Sequence, residues 1–417
     1  MLLMAASKTG KIFKYISIIS WSLYDLANQF FAINIVSLYF VRWLTIEKGV
    51  SEIWYSLSFG ISMFFVAVLA PFLGALSDAQ RKHKLFLIYF TVISVLSTIF
   101  MGFIDEIWLA LILFIIANFG CQEGVVFYNS LIVHVSSGKN IGYISGLGRM
   151  FGYIGAVIAL MFTKPIVLER GYKSVFIMTG ILFALFALPC MIFVKEASSQ
   201  NSHFYFTRRK SLKEVFREFR QQFNFWKKDS RLMNFLKASL FVFGVVNVII
   251  LFMSVYVSKV FGLREKEIID LIIFSTFFAI GGSIVSGVIS DYIGYGKVFL
   301  SAFVFWIIAL MSGVLITRPF WYWVIGAMSG LSLGVTWVTS RAFMTKLVPK
   351  ERIGEAFGFF NLIGYLAGIL GPLWWGMIIF YLRKWEILGY RIALFSLTPF
   401  LVVGTIFLLR VFPKSNS

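Results

Sequence analysis

Acidic residues are scarce in this chain: 19 Asp and Glu face 38 Lys and Arg, and charged residues make up only 14% of 417. Cysteine is nearly absent. Cys121 and Cys190 both fall inside apolar runs, with neither the spacing of a metal-ligand set nor that of a disulfide framework. With only three histidines and no His-Glu-x-x-His stretch, no metal site is expected. A phosphate-binding Gly-x-x-x-x-Gly-Lys loop is also missing: Gly296 and Lys297 resemble its end, but Asp291 stands where the first glycine is required. ATP is therefore not expected to drive any work from within this chain. Intramembrane hydrolysis would want an Asp pair, or a Ser with a base on a facing helix, and neither is legible. The expectation is a non-enzyme without a cofactor.

What the chain has in excess is apolar residues, at 59% with a mean hydropathy of +0.86. A soluble domain is about half apolar and about a quarter charged. The excess appears as repeated runs of about 20 residues, long enough to cross a bilayer. The fold expected is an all-α membrane protein of twelve spans, at about 15–41, 53–77, 85–104, 107–132, 141–163, 174–194, 232–259, 267–290, 297–316, 320–343, 353–380 and 390–411. The net charge of +19 would suggest nucleic acid in a soluble protein. Here Lys and Arg gather in alternate loops, as the positive-inside rule requires, and no nucleic-acid partner is expected. The larger share lies on the side of the N-terminus, which predicts an inner-membrane protein with both termini cytoplasmic. Lys8, Lys11 and Lys14 flanking an apolar stretch imitate a signal peptide. The stretch is too long for one and no small-residue cleavage site follows, so an uncleaved first span is expected.

The longest loop, 195–231, is strongly basic and separates two six-span halves, 1–194 and 232–417. Inside it, SLKEVFREFRQQF opens with a capping box of Ser211 and Glu214 and continues with apolar residues at helical spacing. This predicts an amphipathic helix on the inner membrane surface or against the bundle. The halves repeat each other. Gly74-Ala-Leu-Ser-Asp78 returns as Gly287-Val-Ile-Ser-Asp291, and IGYISGLGRMFGY from Ile141 returns as IGEAFGFFNLIGY from Ile353, at a nearly constant offset. Parallel six-helix repeats suit a transporter with its substrate site between the halves.

The Gly-x-x-x-Asp element after the second span resembles the signature loop of the major facilitator superfamily. Gly74, Asp78, Lys82 and Lys84 follow the pattern, while Ala79 and Arg81 stand where a basic residue and a glycine are usual. In the second copy Gly287, Asp291, Gly294 and Lys297 follow it. Three longer stretches, WSLYDLANQFF at Trp21, VFYNSLIVHVSSGKNIGYISGLGRMFGYIG at Val126 and SRAFMTKLVPKERIGEAFGFFNLIGYLAGILGP at Ser340, resemble the branch containing the fungal vacuolar amino-acid effluxers and their prokaryotic relatives. The resemblance covers nearly the whole chain. It implies transport, the twelve-helix fold and, more weakly, amino-acid efflux. Gly74, Asp78, Lys82, Gly287, Asp291 and Lys297 are the expected cytoplasmic gate, in which glycine permits close helix approach and each Asp can accept bonds from loop cations.

Ionisable residues inside a span cost several kcal/mol and are functional candidates by default. Asp25 lies about ten residues, or ~15 Å, into the first span, near the middle of a ~30 Å hydrocarbon core. Glu123 and Arg149 lie at similar depth in consecutive antiparallel spans. In the second half their repeat positions carry Leu333 and Asn361, so the charged pair belongs to one half only. Glu123 and Arg149 either open and reform as a salt bridge while Asp25 carries a proton, or Arg149 binds a substrate carboxylate or phosphate with its planar fork. The structural alternative is a fixed pair, with Asp25 bonded to Asn28 or to a neighbouring helix. Asn28, Asn361 and Tyr365 complete the candidate substrate and coupling set, with Asn247, Thr336 and Trp337 as softer candidates.

The function expected is secondary active transport of a small polar solute by alternating access, as an exporter of an amino acid or related metabolite coupled to protons. The partners are that solute, protons and membrane lipids, with the chain a monomer. Two rivals stand beside it: a lipid or lysolipid flippase on the same fold, and a non-transporting receptor or assembly factor using the basic loop.

Overall fold

A computed structural model describes residues 2–80, 82–135, 141–196, 217, 226–318, 320–349 and 353–412. Regular structure among these residues is helical throughout, and twelve helices are long and apolar enough to cross a membrane. They are α1 (Leu2–Phe31), α2 (Glu52–Gln80), α3 (His83–Met101), α4 (Ile107–Ser130), α5 (Ile141–Arg170), α6 (Tyr172–Phe193), α7 (Ser230–Phe261), α8 (Glu265–Ile293), α9 (Tyr295–Leu315), α10 (Trp321–Leu347), α11 (Ile353–Tyr381) and α12, which starts as Glu386–Phe395 and resumes as Leu397–Leu409. The amphipathic stretch expected from Ser211 onward lies outside the described residues.

Helix is the form in which a lipid-facing chain satisfies its own backbone, which is why these apolar runs adopt it despite Pro165, Pro189 and Pro372 inside three of them. The ends are set by local chemistry. Asp229 caps α7 by accepting from the Arg231 and Leu232 amides, and Gly262, with φ +67°, ends that helix in the left-handed conformation that glycine adopts at least cost. Exposed Phe64, Phe65, Tyr89, Phe100, Phe162 and Ile181 form apolar surface of a kind suited to hydrocarbon.

The first span is longer than its hydropathy suggested, running Phe13–Glu47. Beyond α1 it continues through a π-helical segment (Ala32–Leu38), a short α-turn (Tyr39–Arg42) and a second π segment (Trp43–Glu47). Each π turn admits an extra residue and rotates the following side chains about the axis, a device common at functional sites.

The chain divides into two compact units, Met1–Trp43 with Phe65–Val215, and Leu44–Phe64 with Phe216–Ser417. α2 is therefore shared, its first half counted with one unit and its second half with the other. Within the first unit, α1 packs on α5 and α6, and α3 on α4 and α6. Within the second, α7 packs on α11 and α12, and α10 on both α8 and α9.

Candidate functional site

Three glycines of α5 form the floor on which α1 lies. A Cβ at Gly155 would sit 2.7 Å from the Leu26 carbonyl oxygen, and one at Gly148 would sit 2.8 Å from the Trp21 ring. Between them, a Cβ at Gly152 would sit 3.1 Å from Asp25 Oδ2, with Gln29 Nε2 at 3.7 Å. Missing side chains on α5 thus make the room that the buried Asp25 carboxylate occupies.

α4 closes the other side. Gly124 faces the Tyr24 hydroxyl, 2.7 Å from where its Cβ would be. The hydroxyl of Thr91 donates to the Leu87 carbonyl at 2.6 Å, so Tyr24 must be the donor in its own 2.6 Å bond to Thr91 Oγ1. Tyr128 stacks between Trp21 and Tyr24 at centroid distances of 4.4 and 5.1 Å, and the Trp21 indole N–H donates to the Tyr128 carbonyl at 3.0 Å. Asn28 is buried against Cys121, whose thiol points to its Oδ1 at 4.0 Å, while Asn28 Nδ2 has no hydrogen-bond partner among the described residues. Glu123 is fully buried, and neither of its carboxylate oxygens meets a hydrogen-bond partner among the described residues. Such a group is costly unless another state or a ligand satisfies it.

Asp25, Asn28 and Glu123 are therefore buried side chains of α1 and α4, and Asp25 lies against α5. Arg149 is on α5, but its side chain, and with it the proposed pairing to Glu123, lies outside the described residues. In α11 Asn361 is exposed and Tyr365 is half-buried. Asn247 spends its amide on the Phe243 carbonyl at 2.8 Å. Thr336 is buried, accepting from the Trp306 indole at 3.1 Å and donating to Ser332, an arrangement of packing and not of an open pocket. Trp337 stacks on Phe243 at 5.2 Å with the Arg341 guanidinium over its ring.

At the gate positions, among the described residues, a Cβ at Gly74 would meet nothing within 4 Å, and one at Gly287 would meet only Val338 at 3.9 Å. The close helix approach lies elsewhere in the second unit, where Gly282 faces the Leu331 carbonyl at 2.7 Å and Gly334 faces the Ala279 carbonyl. Asp291 is exposed and accepts from the Tyr295 hydroxyl at 2.5 Å, while Lys82 and Lys297 are exposed. The side chain of Asp78 lies outside the described residues.

Sequence reasoning missed two polar groupings. Asn34, in the first π segment, donates to Thr179 Oγ1 at 3.0 Å, and its Oδ1 lies 3.3 Å from Thr163 Oγ1, whose own proton goes to the Ala159 carbonyl at 2.7 Å, so the segment meets both α5 and α6. Its signal was an amide in a span, masked by the larger claim of Asp25. Glu52, the first residue of α2, is buried and accepts from the Tyr390 hydroxyl of α12 within the second unit. A glutamate at the edge of an apolar run reads as an interfacial residue, so nothing local marks it.

Comparison with known proteins agrees with this architecture. The Major Facilitator Superfamily family model matches residues 23–372. The chain is 30% identical over 371 residues to an uncharacterised protein of Aquifex aeolicus (strain VF5), covering 88% of this chain and 90% of that one. It is 27% identical to the uncharacterised MFS-type transporter YxiO of Bacillus subtilis (strain 168), covering 95% of each. Among solved structures, the nucleoside transporter NupG superposes with a TM-score of 0.76 at 14% identity over 97% of this chain and 100% of that one, a likeness of fold alone. Twelve spans, the paired Gly-x-x-x-Asp loops and the family match over most of the chain lead to one conclusion: this multi-pass membrane protein belongs to the Major Facilitator Superfamily and is a carrier, not an enzyme.

Proposed function

We propose that this carrier exports a small polar solute, an amino acid or related metabolite, by proton-coupled alternating access of the halves 1–194 and 232–417. The observation that carries the reading is the distribution of buried polarity. Every amide or charged side chain buried among the described residues, namely Asp25, Asn28, Asn34, Arg42, Glu52, Asn118 and Glu123, belongs to the first six spans. Groups so expensive in a membrane are kept where they bind, relay or switch. Asp25 and Glu123 are the coupling groups. Arg149 is the binding site for an anionic part of the cargo, and Asn28, Asn361 and Tyr365 supply its remaining polar contacts. Gly74, Asp78, Lys82, Gly287, Asp291 and Lys297 form the cytoplasmic gate. The Tyr-Asp-x-Ala-Asn stretch at Tyr24, similar to that of the vacuolar effluxer branch, supports an amino acid as the cargo.

The test is a thermal-shift screen of amino acids, peptides, sugars and phosphates on the purified protein, repeated with Arg149→Ala. A ligand whose stabilisation vanishes in the variant supports the assignment of Arg149, and one that survives it moves Arg149 out of the site. In liposomes, flux of that ligand driven by an imposed pH gradient, and abolished by Asp25→Asn in a protein of unchanged melting point, supports coupling. Flux indifferent to the gradient defeats it.

A further inference from the structure

Two of the three histidines in the chain converge on one glutamate at one end of the first unit. His83 is the first residue of α3, His134 lies in a four-residue helix (Ile132–Val135) just after α4, and Glu196 follows the end of α6. His83 Nδ1 stands 3.3 Å from Glu196 Oε1, the two imidazole rings are 6.3 Å apart, and one ligand atom from each of the three residues lies within 4.8 Å of the others. We propose that His83, His134 and Glu196 form a binding site for a divalent transition cation, of which Zn2+ is the best match, clamping together the ends of α3, α4 and α6.

The donor set is the reason for that cation. Two imidazoles and a carboxylate are a ligand combination that tetrahedral Zn2+ accepts with a fourth position left to water, whereas Mg2+ and Ca2+ prefer all-oxygen shells. Bonds of ~2.0–2.2 Å require ligand atoms ~3.3 Å apart, which the His83–Glu196 pair already satisfies. His134 is exposed and has the rotamer freedom to swing the remaining ångström or so. The Lys84 backbone N–H donates to the same Glu196 Oε1 at 3.0 Å and helps hold the carboxylate in place. The three ligands come from segments far apart in sequence, so no spacing motif announces them. The site is independent of the transport reading, since none of its residues belongs to the proposed substrate path.

The test uses the full chain in detergent, stripped with a chelator and titrated calorimetrically with Zn2+, with Mg2+ as the control and Co2+ as a spectroscopic stand-in. The expected result is one saturating equivalent of Zn2+, no heat with Mg2+ and the strong visible bands of four-coordinate Co2+. His83→Ala and His134→Ala should each weaken binding about tenfold or more, and His203→Ala should leave it unchanged. If an alanine variant does not remain monodisperse, the near-isosteric Glu196→Gln carries the same expectation. Wild-type protein that takes up no Zn2+, binding untouched by all three ligand substitutions, or binding lost in His203→Ala would each overturn the site. The first of these would leave His83 and Glu196 as a side-chain contact without a metal.

Discussion

The two halves of the chain bury polarity in opposite ways. The first six spans hide carboxylates, amides and an arginine, while the buried polar groups described in the last six are serine and threonine hydroxyls and the polar tips of aromatic rings such as Tyr256 and Trp306. Many of these hydroxyls are satisfied within their own helix: Ser290, Ser332, Thr336 and Thr339 each donate to the carbonyl four residues back. Such bonds need no partner from another helix. Among the described residues Glu123 and Asn28 have no such local recourse, and the carboxyl and amide groups left without a partner there are what a ligand or a second conformation would complete. The helix contacts differ in the same sense. α5 accepts α1 through glycines that make room for Trp21 and Asp25, whereas α11 meets α7 glycine to glycine, with the Cβ position of Gly371 against the Gly244 backbone. Among the described residues, buried amides and charges thus stand in the first six spans alone.

Four changes would break or sharpen this contrast. Gly155→Ala should act most strongly. Its Cβ would press on the backbone of Leu26, which cannot rotate away, and we expect a loss of about 2–3 kcal/mol, read as a lower melting point. Glu123→Leu puts into the first half the residue its repeat carries at Leu333. Removing a buried carboxyl that has no partner among the described residues should raise stability by about 1–3 kcal/mol while abolishing transport of the ligand found in the screen, and a variant that keeps full transport would take Glu123 out of the site. Tyr390→Phe strips the buried Glu52 of its donor and should cost about 1–2 kcal/mol, and a double-mutant cycle with Glu52→Gln should show the two effects to be coupled. The smallest effect belongs to Gly364→Ala. An added Cβ there meets open space, so the melting point should hold or rise by the equivalent of up to ~1 kcal/mol, in contrast to Gly155.

The span count, the helical class and the candidate carboxylates were legible because hydropathy and charge are local properties. Asp25 and Glu123 declared themselves by standing where lipid was expected, and both are buried. Less visible was Asn34, whose partners Thr163 and Thr179 lie on two other helices and whose π-helical setting has no composition signature. Thr336 read as a pocket candidate, but an indole from α9 claims it. The gate glycines read as helix-packing positions, yet the tightest contacts of α8 with α10 fall at Gly282, Gly330 and Gly334.

By itself the sequence determined that the chain crosses a membrane twelve times, repeats once and keeps its costly charges in the first half, because apolar run length and residue identity settle transfer free energy without reference to neighbours. Only the tertiary structure decided what those charges touch. It set Asp25 in the hollow left by Gly152, took Tyr24 to Thr91, and gathered His83, His134 and Glu196 from three helix ends. The reason is that lipid drives every span into helix but says little about which helices meet. Close contact of small residues and the matching of single donors to single acceptors choose the partners, and both are properties of pairs of helices.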